Sequence, residues 1–328
     1  MVRLGFIVSK GSEQMSRIKV SLAGGLGNQL FQYAFALAES SGEIVELEWV
    51  LGPAVQNHVG MPELCDFNLS NRILLRHAKK APKFMTRLIR VLRQASSTQK
   101  KWVRSSIFWP VKKTINLLLN IYLDEKVDIF LAEGTGYFSK RPKKTKQYCV
   151  GFFHSFRWPA IPEVITELKQ LKLKNPSTEI AVYQELALRE LPLVVHIRLG
   201  DYENQDGFGI PSAKYYSDGI SSQWLSGDYK KIWVFTNDME KASHYLPSEY
   251  LPYVRWIPAI SNSSSETLEV MRLGRGYVIG NSTFSWWGAF LSYSLNPKIV
   301  APDPWFISAN SPKDIIPTTW DTHYAWDN

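Results

Sequence analysis

The chain has 328 residues, 45% of them hydrophobic and 21% charged, a globular composition long enough to bury a core without covalent staples. Two widely spaced cysteines, Cys65 and Cys149, exclude a disulfide framework and a cysteine zinc site and fit a reducing compartment. The net charge of +8 is concentrated: residues 67–123 hold 13 Lys and Arg and no Asp or Glu, which leaves 25 basic against 30 acidic residues elsewhere.

The predicted elements alternate along the chain. Residues 1–14 precede Met15, a second start, and form a dispensable extension; they lack the apolar core and cleavage site of a secretory signal. A strand at 18–22 leads through glycines into a helix over 28–40. The basic segment 67–123 follows, helical in parts and irregular around Pro82 and Pro110. In it Phe84, Leu88, Val91 and Leu92 fall at helical spacing beside Arg87, Arg90 and Arg93. That pattern reads either as a solvated helix face or as a basic amphipathic surface against anionic lipid. No recognition motif accompanies the charge, so nucleic acid is not expected as a partner. The longest apolar run, 117–123, is broken by Asn120 and is too short to span a bilayer. A cytoplasmic protein is expected, soluble or peripheral on the inner face of the membrane.

Further on, 149–154 reads as a strand, and 162–173 and 178–190 as helices. After Pro192 come strands at 193–197, 232–236, 277–280 and 298–301 with helices between. Alternating strands and helices imply parallel sheets with crossover helices, and two such halves imply a cleft.

Three strand ends carry chemistry. At the first, Gly25, Gly27, Asn28 and Gln29 sit where a strand turns into a helix, either as a tight turn or as a phosphate cradle of free N–H groups. It is not the dinucleotide fingerprint, because Leu30 stands at the third glycine position. At the second, His196 and Arg198 are two apart and share one side of the strand end. Arg198 offers a permanent charge and a fork that fits phosphate oxygens; an ion pair with Asp201 is the structural alternative. At the third, Ser282 and Thr283 either cap a helix or bind phosphate with it, and Trp286 and Trp287 pack that helix on the sheet. Asp238 could accept two hydrogen bonds from a guanine edge or cap the next helix. No D-x-D triplet occurs and the six histidines lack metal-ligand spacing. A bound diphosphate would then be neutralised by Arg198 and helix N-termini, with no metal and no cofactor.

Together GGLGNQLFQYAFALA at 24–38, HIRLGDY at 196–202, Tyr215-Tyr216, VFTND at 234–238 and NSTFSWWGAFL at 281–291 resemble the bacterial α-1,2-fucosyltransferases, glycosyltransferase family 11. The resemblance covers about 18–40 and 190–300 and says little of 45–150. It implies an α/β fold of two Rossmann-like domains facing a cleft (GT-B-like). Residues 1–185 would be the acceptor-side domain, 186–300 the GDP-fucose-binding domain, and 301–328 a tail packing back on the first. Arg198 would bind the β-phosphate and stabilise departing GDP, with His196 beside it. Asp238 would contact guanine, and Ser282, Thr283, Phe284 and Ser285 would line the diphosphate. Gly25, Gly27, Asn28 and Gln29 would face the sugar and acceptor. Leu199 stands where many members have a second arginine; as a strand neighbour it should point away from Arg198.

The reaction so implied is an inverting transfer from GDP-fucose to a galactose-containing glycan or lipid-linked oligosaccharide, forming an α-1,2 linkage. Asp201 is the catalytic partner expected beside Arg198, as base or as orienter of the guanidinium; Glu203 and His154 are weaker candidates for the base.

Overall fold

The structure, a computed structural model, describes residues 17–49, 61–77, 82–97, 109–142, 145–202, 207–308 and 310–327. The first half contains β1 (Ile18–Leu22), α1 (Leu26–Glu39), β2 (Val45–Trp49), β3 (Ile73–His77), α2 (Lys83–Ser97), α3 (Trp109–Leu123), β4 (Asp128–Leu131) and β5 (Gln147–Val150). Its strands form a five-stranded sheet in the order β3-β2-β1-β5-β4, every pairing parallel. Helices α4 (Pro162–Lys169) and α5 (Thr178–Glu190) lead to the second half.

That half contains β6 (Leu193–Ile197), α6 (Ala213–Ser226), β7 (Ile232–Thr236), α7 (Met239–Ser243), β8 (Val254–Ile257), α8 (Ser264–Met271), β9 (Gly276–Val278), α9 (Thr283–Phe290), β10 (Lys298–Asp303) and β11 (Asp321–Tyr324). Its six strands run in the order β8-β7-β6-β9-β10-β11, again all parallel. That is the doubly wound order of a nucleotide-binding sheet, with its topological switch between β6 and β9. In the first sheet the chain runs outward from β1 to β3, crosses to the far edge at β4 and returns inward to β5, which lies beside β1. The carboxyl ends of β1 and β6 both deliver residues to one cleft, the GT-B-like arrangement.

The elements follow from their residues. All five residues of β1 are buried, as a central parallel strand requires. Its one charge, Lys19, is held 2.7 Å from both Glu46 and Glu125. Burial works to lower its pKa, but hydrogen bonds from its ammonium to Glu125 and Glu46 leave it above the ordinary lysine value. Helix α1 is buried on nearly every side, as an all-round apolar helix must be. One side meets the first half, where Phe35 stacks on Phe153 at 3.8 Å. The other meets α9, where Phe31 lies 4.6 Å from Trp286 and 4.9 Å from Trp287. One apolar cluster therefore runs from β1 through α1 and α9 to Trp305 and Ile315.

Several elements depart from the sequence reading. Strand β5 stops at Val150 because Phe153 takes a left-handed φ of +59° and the His154 N–H turns to the Thr135 carbonyl. Helix α4 ends at Lys169, and Leu173 instead bridges antiparallel to Phe67. Of the segment expected as a tail, residues 301–303 complete β10 and Asp321–Tyr324 forms β11, both in the second sheet. Around Lys313 and Asp314 it meets the first half, their carbonyls accepting from the Tyr137 and Phe156 N–H groups at 2.8 Å.

On α2 the inward row is Met85, Ile89 and Leu92, packed with Ile115 and Leu119 of α3 on Ile129, Tyr148 and Val150. Phe84 and Val91 are 55% and 49% exposed, on the outer amphipathic face. Arg93, grouped with that basic face, instead turns inward and donates to the Ser21 hydroxyl at 2.8 Å. Burial brings its guanidinium down to about 10.

Candidate active site between the two halves

The cleft has a volume of roughly 510 Å³, the size of a nucleotide-sugar pocket rather than a surface dent. The first wall is the turn after β1. There the Ala23 N–H donates to Gln32 Oε1 at 2.9 Å, and Gln29 Nε2 donates to the Gly24 carbonyl at 2.9 Å. These bonds fix the loop that presents Gly25, Gly27 and Asn28 to the cleft. A Cβ on Gly27 would lie 2.6 Å from the Thr283 hydroxyl and 2.7 Å from the Phe284 nitrogen, so only glycine lets the N-termini of α1 and α9 meet this closely. The Gly27 carbonyl accepts the Trp287 indole N–H at 2.9 Å.

Asn28 joins the walls. Its Oδ1 accepts from the Thr283 hydroxyl at 3.3 Å and lies 2.9 Å from His154 Nε2. With Oδ1 serving as acceptor to both, the His154 ring carries its proton on Nε2, and the Asn28 amide keeps Nδ2 as its donor. Burial pushes His154 down to about 3, so at neutral pH the ring is an uncharged strut.

The second wall is the end of β6. His196 is buried, and its carbonyl accepts from the Tyr216 hydroxyl at 3.2 Å and the Gly280 N–H at 3.1 Å. These bonds pin β6 to the exit of β9. Burial and then the neighbouring Arg198 charge bring His196 to about 3. Its Nδ1 is buried with no hydrogen-bond partner among the described residues. Arg198 follows on the same side and lines the cleft. Leu199 points the other way and is 1% exposed, as strand alternation requires; its N–H and carbonyl both bond the Asn237 amide.

At the third strand end Ser282 caps α9 by accepting the Phe284 N–H at 3.3 Å, and Ser282, Thr283 and Phe284 line the cleft. Three other predicted residues, Ser285, Gln29 and Asp238, stand elsewhere. Ser285 is fully buried and donates to the Ser282 carbonyl at 3.1 Å, because it sits on the inner side of the first helical turn. Gln29 is likewise buried and braces the glycine loop, its Oε1 accepting the Leu64 N–H at 3.0 Å. Asp238 does not line the cleft; its Oδ1 accepts the Lys241 N–H at 3.1 Å as the cap of α7. Asp201 lies in a single 3-10 turn, Gly200–Tyr202, with its side chain outside the described residues, as is all of Glu203.

The floor was missed in the sequence. Phe235, Ile257, Pro258, Asn262 and Ser263 line it, and Glu63 joins the first-half wall beside the glycine loop. Strand β8 is a four-residue edge strand without alternation, so the loop behind it gave no signal. That loop brings a third helix N-terminus, that of α8, to the cleft. With α1 and α9 it forms a field suited to anionic ligands.

A model for glycosyl transferase family 11 matches residues 17–308. The chain is 28% identical over 305 residues to an alpha-1,2-colitosyltransferase of Escherichia coli, covering 89% of this chain and 93% of that one. It is 26% identical over 316 residues to the O-antigen biosynthesis glycosyltransferase WbnK of the same organism, covering 89% and 96%. Among solved structures, the alpha-1,6-fucosyltransferase NodZ soaked with GDP-fucose aligns at 14% identity over 88% of this chain and 96% of its own, with a TM-score of 0.47. The ADP-heptose heptosyltransferase II of Escherichia coli aligns at 10% identity over 94% and 90%, with a TM-score of 0.46. The family match spans the first sheet, all but the last strand of the second and every residue placed above at the cleft, and the chain belongs to glycosyltransferase family 11.

Proposed function

We propose that this family 11 enzyme is an inverting galactoside α-1,2-fucosyltransferase. It moves L-fucose from GDP-fucose to the 2-hydroxyl of a galactose-type unit, in the synthesis of an O-antigen-like surface polysaccharide. The observation that carries this reading is the meeting of Arg198 with the N-termini of α1, α8 and α9 in one cleft. The reaction breaks the bond between fucose C1 and a β-phosphate oxygen, so negative charge grows on the leaving GDP. Pre-placed positive groups stabilise that charge more in the transition state than in the ground state, which lowers the barrier. Because these groups belong to the protein, the reading needs no divalent ion. Asn28 meets the reacting sugar from the first wall, with Nδ2 as donor. His196 supports the diphosphate side as a neutral group.

The acceptor is proposed to be carried on a lipid diphosphate at the cytoplasmic face of the membrane. No helix among the described residues is long and apolar enough to cross a bilayer. The outer face of α2 shows Phe84 and Val91 among exposed Lys83, Arg87 and Arg90, and that of α3 shows Leu117 and Ile121 with Lys113. Such mixed faces suit an anionic surface. Flotation with phosphatidylglycerol vesicles should carry the protein up, and Leu117→Asp with Ile121→Asp should release it; wild type left at the bottom of the gradient refutes the contact.

A second reading has a specific basis in the colitosyl-transferring relative: the same linkage with another 6-deoxy sugar on GDP. One experiment decides between them. The enzyme is offered a panel of GDP-sugars with a β-galactoside, with and without chelator, and the product linkage is read by NMR. Transfer of fucose to O2, undiminished by chelator, is expected; no fucose transfer, another linkage or loss with chelator refutes the corresponding part.

A further inference from the structure

We infer that Glu63 is the general base that takes the proton from the attacking acceptor hydroxyl, a role that rests on the transferase reading above. Among the described residues that line the cleft, Glu63 is the one acidic side chain. It opens a short 3-10 turn, Glu63–Asp66, behind the extended Pro62. The next residue ties it down: the Leu64 N–H donates to Gln29 Oε1 at 3.0 Å, and Gln29 Nε2 donates to the Gly24 carbonyl. Glu63 and Asn28 are thus carried by one braced unit on the acceptor-side wall, with Arg198 on the wall opposite. Inversion at C1 needs that division, with the nucleophile and its base on one face of the sugar and the departing diphosphate on the other.

The second observation is an unmet hydrogen bond. Glu63 Oε2 is buried and has no partner among the described residues. A buried carboxylate oxygen left without a donor is costly, and natural proteins keep few of them. The neighbouring carboxylates are already used. Asp66 accepts the Ser265 hydroxyl at 2.5 Å, Glu266 accepts from Ser177, and Glu269 pairs with Arg272 at 2.8 Å. None of these groups engages Glu63, so its cleft-facing oxygen is left to meet an incoming sugar hydroxyl. The histidines serve less well, since His154 lies behind Asn28 and spends Nε2 on it, and His196 stands on the donor wall.

The step balances without a further reactant. The acceptor oxygen forms its bond to C1 as the bond from C1 to the β-phosphate oxygen breaks. The electron pair of that bond leaves with GDP, the hydroxyl proton passes to the Glu63 carboxylate, and the carboxyl returns it to solvent after product departs.

The test compares wild type with Glu63→Gln and Glu63→Asp. It reads transfer rate, the pH profile of kcat/KM, and GDP affinity from intrinsic tryptophan fluorescence. Glu63→Gln should lose roughly 100-fold or more in kcat, the ordinary contribution of a positioned base. It should also lose the acidic limb of the profile and bind GDP within about twofold of wild type. Glu63→Asp should keep the limb at reduced rate. A Glu63→Gln enzyme within a few-fold of wild type with the limb intact overturns the assignment. So does a loss of GDP affinity large enough to account for the slower rate, which would make Glu63 a nucleotide contact. Wild type that transfers from no GDP-sugar overturns the transferase reading and this role with it, whereas wild type active alongside an unimpaired Glu63→Gln overturns this role alone.

Discussion

A single methyl group at Gly27 should disable the enzyme while leaving it folded. Its Cβ would sit 2.6 Å from the Thr283 carbonyl carbon and hydroxyl, where ordinary contact is 3.4–4 Å. The blocking atoms are largely backbone, so no rotamer relieves them, and the N-termini of α1 and α9 must part by roughly 0.8 Å. Overpacking of this kind costs about 1–3 kcal/mol, a fall of roughly 1–4 °C in Tm for a chain this size. The larger effect is on alignment. The Asn28–Thr283 bond at 3.3 Å would lengthen beyond hydrogen-bond range, and the acceptor wall would shift against Arg198. Misplacement of about 1 Å can cost on the order of 100-fold in rate. Thermal melts and kcat/KM on Gly27→Ala measure both. A variant with wild-type rate and Tm would refute the close approach of the two helix ends.

Arg198→Ala should lower kcat roughly 100- to 1,000-fold, on the scale of losing one preorganised transition-state donor, with Tm nearly unchanged; Arg198→Lys should recover only part, because the fork is lost. For His154, a glutamine can still donate to Asn28 Oδ1 and a leucine cannot, so His154→Gln should stay within about tenfold of wild type and His154→Leu fall well below it. Equal losses in the two variants would sink the strut role. For Glu125, burial alone would raise the pKa, but hydrogen bonds from Lys146 and Lys19 outweigh it and hold the carboxylate below its ordinary value. Its stabilising contribution is therefore complete above the unfolded value of about 4.3 and is lost as pH falls through the lower folded value. Glu125→Gln should be less stable than wild type to urea at pH 7, with the gap closing near pH 3; a constant gap refutes the linkage.

The strand ends bearing chemistry were legible because each packs its signal locally. An apolar run, a glycine or serine punctuation and an aromatic helix identify β1–α1, β6 and β9–α9 without tertiary knowledge. Pointing direction was legible too, since period-two alternation puts Arg198 at the cleft and Leu199 in the core. What failed was the difference between a residue at a site and a residue that supports it. Gln29 and Ser285 lie within the matching motifs, yet their partners are Leu64 and Ser282, contacts that only the folded chain reveals. The first sheet was harder to read. Strand β2 buries Glu46 and Glu48, so its polarity hid it, and in α2 Arg93, which belongs by sequence to the basic face, turns inward to Ser21. Glu63 offered no pattern, since its place depends on a bond to a glutamine 34 positions earlier in the chain.

The indole of Trp287 bonded to the Gly27 carbonyl, within an apolar cluster shared by both halves, constrains how the enzyme can be re-engineered. Grafting the second half of a relative onto this first half, to change the sugar delivered, would bring a foreign α9 against the native α1. A chimera cut at the chain's midpoint should therefore precipitate or lose activity, whereas one that exchanges α1 and α9 together keeps a matched pair and should stay soluble.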